Sequence, residues 1–349
     1  MTKKKLTVFI VCLCSDMGKS ENHIFMQKIS LWFLMCCVML TACQSNPLES
    51  TSVTTSPISV ARSQLDKSFY KFKNSHKKPV VALVLGSGGA RGYAHIGVIE
   101  VLEQQGIKPD FIVGTSAGSI VGSLYASGKS AEELREIALN LKVKDVREFK
   151  IGMKGFFDGQ KVEDFINSQV ANQTLEHMKI PMYVVATQLK NGQKVVFNYG
   201  NTGQAVRASV SIPSMFIPTT INGDEYVDGG LVSPVPVDVA RNLGADIVIA
   251  VNILAQPAHT ETSNVWGLFN QNINIMQSHL AAEELKNADI VIQPDLREKA
   301  HIFDVKTREY TMQVGRDAAQ QRLNDIKTVL NIKKKELGQE QFAELTVKN

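Results

Sequence analysis

The chain has 349 residues, enough for one large domain or two small ones around a buried core. Apolar residues make up 44% and charged residues 21%, which excludes a mainly disordered chain. The formal charge of +4 is concentrated at the amino terminus: residues 1–43 carry five Lys against Asp16 and Glu21, leaving about +1 for the other 306. A general basic surface for nucleic acid is thereby excluded. All five cysteines, Cys12, Cys14, Cys36, Cys37 and Cys43, lie in the same segment. The rest of the chain therefore holds neither a disulfide nor a thiolate metal site, and its fold rests on packing.

From Met26 the chain reads MQKISLWFLMCCVMLTAC. Lys28 supplies a positive start, and Ile29 to Leu40 form an apolar run of about a dozen residues. That is short of the roughly 20 a spanning helix needs and right for a signal-peptide core. The run ends in Leu40-Thr41-Ala42-Cys43, which resembles the lipobox of bacterial lipoproteins; a plain secretory signal is the alternative. The resemblance implies cleavage before Cys43, acylation there, and a lipid anchor in the bacterial cell envelope. Gln44, where an Asp would mark inner-membrane retention, implies the outer membrane. Met26 reads as the functional start, because residues 1–25 hold a second basic-apolar stretch (Lys3 to Cys14) that fits this scheme poorly. Residues 44–60 contain eight Ser or Thr with Pro47 and Pro57, a flexible tether. The tether extends to residue 77, and a Lys-rich stretch (Lys67, Lys71, Lys73, Lys77, Lys78) leading to the first strand reads as a solvated helix face or turn, with a lipid-headgroup contact as the alternative.

Pro79 to Leu85 is a continuous apolar run ending in glycines, as in a buried parallel strand. Gly92 to Gln105 places Ala94, Val98, Val101 and Leu102 on one helical face, and Gly106 stops the helix. Phe111 to Val113 is a second strand and Ala117 to Ala126 a helix of small residues. Ser130-Ala-Glu-Glu reads as a capping box. Further strands are expected at Met182–Ala186, Val195–Phe197, Asp246–Val251 and Asp289–Ile292, and a long helix at Glu309–Leu330. The alternation predicts a single α/β domain over residues 78–335, with a mainly parallel sheet covered by helices on both faces and a polar tail at 336–349. Segment 144–160, with Phe149, Ile151, Met153, Phe156 and Phe157, reads as core, with a lid or acyl-chain wall as the alternative. Val265, Trp266, Leu268 and Phe269 either pack or touch a membrane.

Three motifs carry chemistry. Gly114-Thr-Ser116-Ala-Gly118 falls between a strand and a helix, where flanking glycines permit a sharp turn that presents the serine; the bland reading is a capping serine. Gly86-Ser-Gly-Gly-Ala-Arg-Gly92 gathers backbone N–H groups into an anion nest, suited to a cofactor phosphate or to an acyl-transfer oxyanion. The dinucleotide fingerprint fails there, since its sixth position is Arg91 and no acidic residue follows the second strand. Arg91 itself either stabilises negative charge or forms a structural salt bridge. Tyr226-Val-Asp228-Gly229-Gly230 projects a carboxylate from a turn, or is an ordinary hairpin turn.

In this order and spacing the motifs resemble the patatin-like phospholipases through nearly all of residues 79–320, including the stretch Arg207 to Pro218. The resemblance implies Ser116 as nucleophile, Asp228 as its dyad partner, and Gly88, Gly89, Arg91 and Gly92 as the oxyanion-hole motif. Gly114 and Gly118 match the nucleophile elbow, and Gly229 and Gly230 the acidic motif. Ser87 stands where many members have glycine. The expected activity is hydrolysis of phospholipid or lysophospholipid esters through an acyl-Ser116 intermediate, with no cofactor and no metal. A Ser-His-Asp triad is the rival, since His259, His279 and His301 follow Asp228; His95 reads as structural. From another class, the alternative is a nucleotide- or anion-binding module using the Gly86–Gly92 loop. The expected partners are a lipid substrate and, through the anchor, a membrane; nucleic acid is not one, and the oligomeric state stays open.

Overall fold

The structure, a computed structural model, describes residues 78–146, 149–152, 154–254, 256, 262–296 and 307–347. Met26, the lipobox with Cys43, and the 44–77 tether lie outside the described residues.

The first strand, β1 (Val81–Leu85), is buried throughout because its side chains alternate between two cores. Val81, Leu83 and Leu85 enter one, Ala82 and Val84 the other. A 3-10 turn at Gly89–Gly92 leads into α1 (Tyr93–Gln104), followed by β2 (Phe111–Thr115), α2 (Ala117–Ala126) and α3 (Ala131–Asn140). The expected capping box opens α3: Ser130 Oγ accepts from Glu133 N–H at 3.2 Å, and the Glu133 carboxylate accepts from Ser130 N–H at 2.7 Å. Next come α4 (Val143–Val146), the hairpin β3 (Phe149–Gly152) and β4 (Gly155–Phe157), α5 (Gln160–Gln169), β5 (Met182–Gln188), β6 (Lys194–Phe197) and α6 (Thr202–Val210). The hairpin β7 (Thr219–Ile221) and β8 (Asp224–Asp228) precedes α7 (Val237–Asn242), β9 (Ile247–Val251), α8 (Val265–Leu285), β10 (Ile290–Ile292) and α9 (Arg308–Val347).

The main sheet runs β10-β9-β1-β2-β5-β8-β7, with β6 also paired to β5. From β10 to β5 all neighbours are parallel; β8, β7 and β6 add antiparallel pairs at one side. Helices α1, α2, α3, α5 and α9 pack on one face, and α7 and α8 on the other. This is the expected three-layer α/β arrangement with a mainly parallel sheet. The two hairpins were not anticipated. In β7–β8 the strands are short and joined by Asn222-Gly223, both at positive φ (53° and 90°), so turn chemistry rather than an apolar run makes the pair.

Two further elements depart from the expected pattern. Helix α9 continues to Val347, so residues 336–347 of the expected polar tail prolong it. Helix α8 was not predicted as a helix, because several of its apolar residues point outward: Val265 is 84%, Met276 60% and Leu268 54% exposed. Against α1, α9 packs almost backbone to backbone. A Cβ on Gly97 would lie 1.9 Å from the Met312 carbonyl, and one on Gly315 would lie 2.1 Å from that of Ala94. Beside this crossing, buried Glu100 takes a 2.5 Å hydrogen bond from Arg316.

Candidate active site

Ser116 makes the turn between β2 and α2 with φ 53° and ψ −119°. A residue with a Cβ held there carries strain of about 1–3 kcal/mol, so the surroundings must fix it. They do so through hydroxyls. Ser116 N–H donates to Ser209 Oγ at 2.8 Å, and that hydroxyl donates to the Val185 carbonyl at 2.6 Å. Ser119 donates to the Ser116 carbonyl through its N–H at 2.9 Å and its hydroxyl at 2.6 Å. The elbow also needs Gly118, where a Cβ would stand 2.0 Å from the Leu85 carbonyl at the end of β1.

The Ser116 hydroxyl donates to Asp228 Oδ2 at 2.6 Å, and both residues are 4% exposed. Asp228 ends β8, the strand carried to this point by its pairing with β5. Its Oδ1 accepts from Gly230 N–H at 2.7 Å, and its backbone carbonyl accepts from the Thr187 hydroxyl at 2.8 Å. Burial raises the carboxyl pKa from 3.8 to about 6, against the hydrogen bonds from Ser116 and Gly230 that favour the carboxylate. Such a carboxyl is a better base near neutrality than an exposed one.

No histidine stands between the two. His95, fully buried on α1, donates from Nε2 to the Gly86 carbonyl at 2.9 Å, and burial lowers its pKa to about 4, so it is neutral. Its role is to hold the glycine loop, as the structural reading expected. His279 lies exposed on α8. His259 and His301 lie outside the described residues.

The glycine loop leaves β1 beside the elbow. Gly86 N–H donates to the Val251 carbonyl at 3.0 Å and Ser87 N–H to that of Pro234 at 2.8 Å. Gly88 and Gly89 follow, and Gly92 passes the Ala117 Cβ at the head of α2. Arg91 donates from Nε to the Ile253 carbonyl at 2.8 Å, and burial lowers its pKa to about 10. The salt bridge considered for Arg91 is not formed among the described residues.

A cavity of about 190 Å³ opens at Ser116, with Gly89, Ala90 and Gly92 at the same end. It runs among α1, α2, α3 and α5, past Ile120, Leu124, Ile137, Val162 and Phe165 to Val146. Apart from Ser116 and Tyr93, its lining has no polar side chain. In segment 144–160, Val146 supplies wall, and Phe157 packs on Phe216, another lining residue, with ring centroids 5.5 Å apart.

The structure thus brings together Ser116, Asp228 and the loop of Gly88, Gly89 and Gly92. Sequence reasoning missed Ser209, Thr187 and Thr115, whose hydroxyls position this set. Ser209 stood inside the quoted stretch Arg207–Pro218, but a lone serine in such a run has no spacing that marks it. Among the described residues no group of His, Cys, Asp or Glu is arranged to hold a metal ion, and no helix is long and apolar enough to cross a membrane.

Comparison with known proteins places this geometry among relatives. Residues 83–241 match the family model described as patatin-like phospholipase. The chain is 37% identical over 193 residues to an uncharacterized NTE family protein of Mycobacterium tuberculosis, covering 54% of this chain and 53% of that protein. It is 32% identical over 184 residues to patatin-like phospholipase domain-containing protein 6 of Homo sapiens, covering 50% and 13%. With lysophospholipase nte1 of Aspergillus fumigatus it shares 30% identity over 248 residues, covering 64% and 15%. The chain therefore spans about half the length of its mycobacterial relative and a small part of the eukaryotic ones. Among solved structures, VipD from Legionella pneumophila has the same fold, with a TM-score of 0.51 at 13% identity over 74% of this chain and 67% of that one.

Proposed function

We propose that the chain is a member of the patatin-like phospholipase family, whose model matches residues 83–241, and a lipid acyl hydrolase cleaving carboxylic esters of phospholipids or lysophospholipids. The observation that carries this reading is the 2.6 Å contact between Ser116 and Asp228 at the head of an apolar cavity. In the proposed reaction, Ser116 Oγ bonds to the ester carbonyl carbon as its proton passes to Asp228. The carbonyl oxygen becomes an oxyanion, stabilised by N–H groups of the Gly88–Gly92 loop, where one donor is worth about 10²–10³ in rate. Collapse breaks the ester C–O bond, and Asp228 returns the proton to the departing alcohol. Asp228 then takes a proton from water, whose oxygen attacks the acyl-Ser116; as the acyl C–Oγ bond breaks, the fatty acid leaves and Asp228 returns that proton to Ser116 Oγ. The acyl chain lies in the cavity throughout. Transfer to another alcohol would use the same steps.

The test uses the full chain in detergent, a phospholipid, a lysophospholipid and a short-chain chromogenic ester. Ser116→Ala and Asp228→Asn should each abolish fatty-acid release while His279→Ala retains it. Loss in the histidine variant with folding intact would replace the dyad by a triad. A folded wild-type chain that cleaves none of these esters would overturn the reading and favour an anion-binding loop. We further propose anchoring in the bacterial outer membrane through acylated Cys43. Cells fed labelled palmitate should label the wild type and not Cys43→Ala.

A further inference from the structure

We propose that Glu284 on α8 is a positioning residue for the reaction, clamping the segment Ser233–Val235 that ties the nucleophile, the glycine loop and the Asp228 turn together; this inference rests on the proposed function. Three separate stretches of chain must meet for the site to exist: 86–92, 114–118 and 228–230. One short segment bonds to all three. The Ser233 carbonyl accepts from the hydroxyl of Thr115, the neighbour of Ser116, at 2.9 Å. The Pro234 carbonyl accepts from Ser87 N–H in the glycine loop at 2.8 Å, and Ser233 N–H donates to the Gly229 carbonyl at 2.9 Å.

What holds this segment from outside is a single carboxyl. Glu284 bonds the Ser233 hydroxyl through one oxygen and accepts from Val235 N–H at 2.9 Å through the other. Ser233 and Val235 are both fully buried, so neither group has water as a substitute partner. Lys194 stands 3.7 Å away, between Glu284 and Asp238. The carboxyl's pKa is raised to about 7, with burial the leading cause, a cost that a residue serving packing alone would avoid by being apolar. On the same inner face of α8, Gln277 lies against Gly230, so the helix backs the Asp228 turn along two turns of its length.

Glutamine reproduces both bonds, its carbonyl accepting from Val235 and its amide donating to Ser233, whereas alanine leaves both partners unpaired. The experiment measures kcat, KM and labelling of Ser116 by a fluorophosphonate probe in the full chain, on the short-chain ester, beside the thermal midpoint. Glu284→Ala should lower kcat and the labelling rate about 10- to 100-fold with KM within threefold, and Glu284→Gln should restore both. Ser233→Ala, which removes one bond, should fall between them and serves if Glu284→Ala does not fold. Unchanged kcat in folded Glu284→Ala or in folded Ser233→Ala overturns the inference, as does activity lost only in proportion to folded protein. Those results leave the proposed function standing, whereas a wild-type chain that neither labels nor turns over sinks both.

Discussion

Asp228 is 4% exposed, and its carboxyl holds its proton to about pH 6 instead of 3.8. The folded chain thus binds that proton more tightly than the unfolded one, so stability is lost as pH rises from about 4 through 6. Asp228→Asn removes the buried charge and should be more stable than wild type by roughly 1–3 kcal/mol at pH 8, a gain that disappears near pH 4. Urea unfolding at the two pH values checks this, and a gain independent of pH would contradict it. The same proton governs turnover in the proposed reaction. As base, Asp228 must be ionised, so kcat/KM should fall tenfold per pH unit below about 6 and level above it; a profile flat down to pH 5 would remove Asp228 from that role. Ser116, Asp228 and their glycines were legible in the sequence because turn geometry forces glycines at fixed offsets from the functional side chain. Ser209, Ser233 and Glu284 were not, because the hydrogen bonds of their side chains span 24 to 93 residues and are set by tertiary packing alone.

At the level of elements, the contact between α1 and α9 has least room for change. Gly97→Val would drive a branched side chain into the Met312 carbonyl, and the helices must separate to admit it. The expected cost is about 2–4 kcal/mol, read as a lower denaturation midpoint with the slope unchanged; a midpoint within error of wild type would show that the crossing yields. Helix α1, with an apolar stripe, and α2, a run of small residues, were predicted nearly to the residue, and so was the cap of α3, whose bonds are local. Helix α8 was not. It turns Gln277 and Glu284 inward and Val265, Leu268 and Met276 outward, reversing the pattern that periodicity reads.

The whole domain depends on its last helix to different degrees along its length. Met312, Ala319, Leu323 and Ile326 of α9 are buried in the core shared with α1 and β1. A chain ending at residue 306 should therefore fail to fold, whereas one ending at 335 should keep its thermal midpoint within about 2 °C; circular dichroism on the two truncations decides. The parallel centre of the sheet was legible because strands buried on both faces are unbroken apolar runs. On its antiparallel side only β6 was, since β7 (Thr219–Ile221) and β8 (Asp224–Asp228) are short and mostly polar. The cavity has a consequence of its own. The reacting atoms sit on strand ends and the turns after them, but most of the wall beyond Ser116 is helical: Leu134 and Ile137 from α3, Val146 from α4, Val162 and Phe165 from α5. If the proposed reaction holds, preference for one fatty acid over another is written in parts of the chain that carry none of the chemistry, so descendants of this scaffold would be free to drift in diet while their reactive centre stays the same.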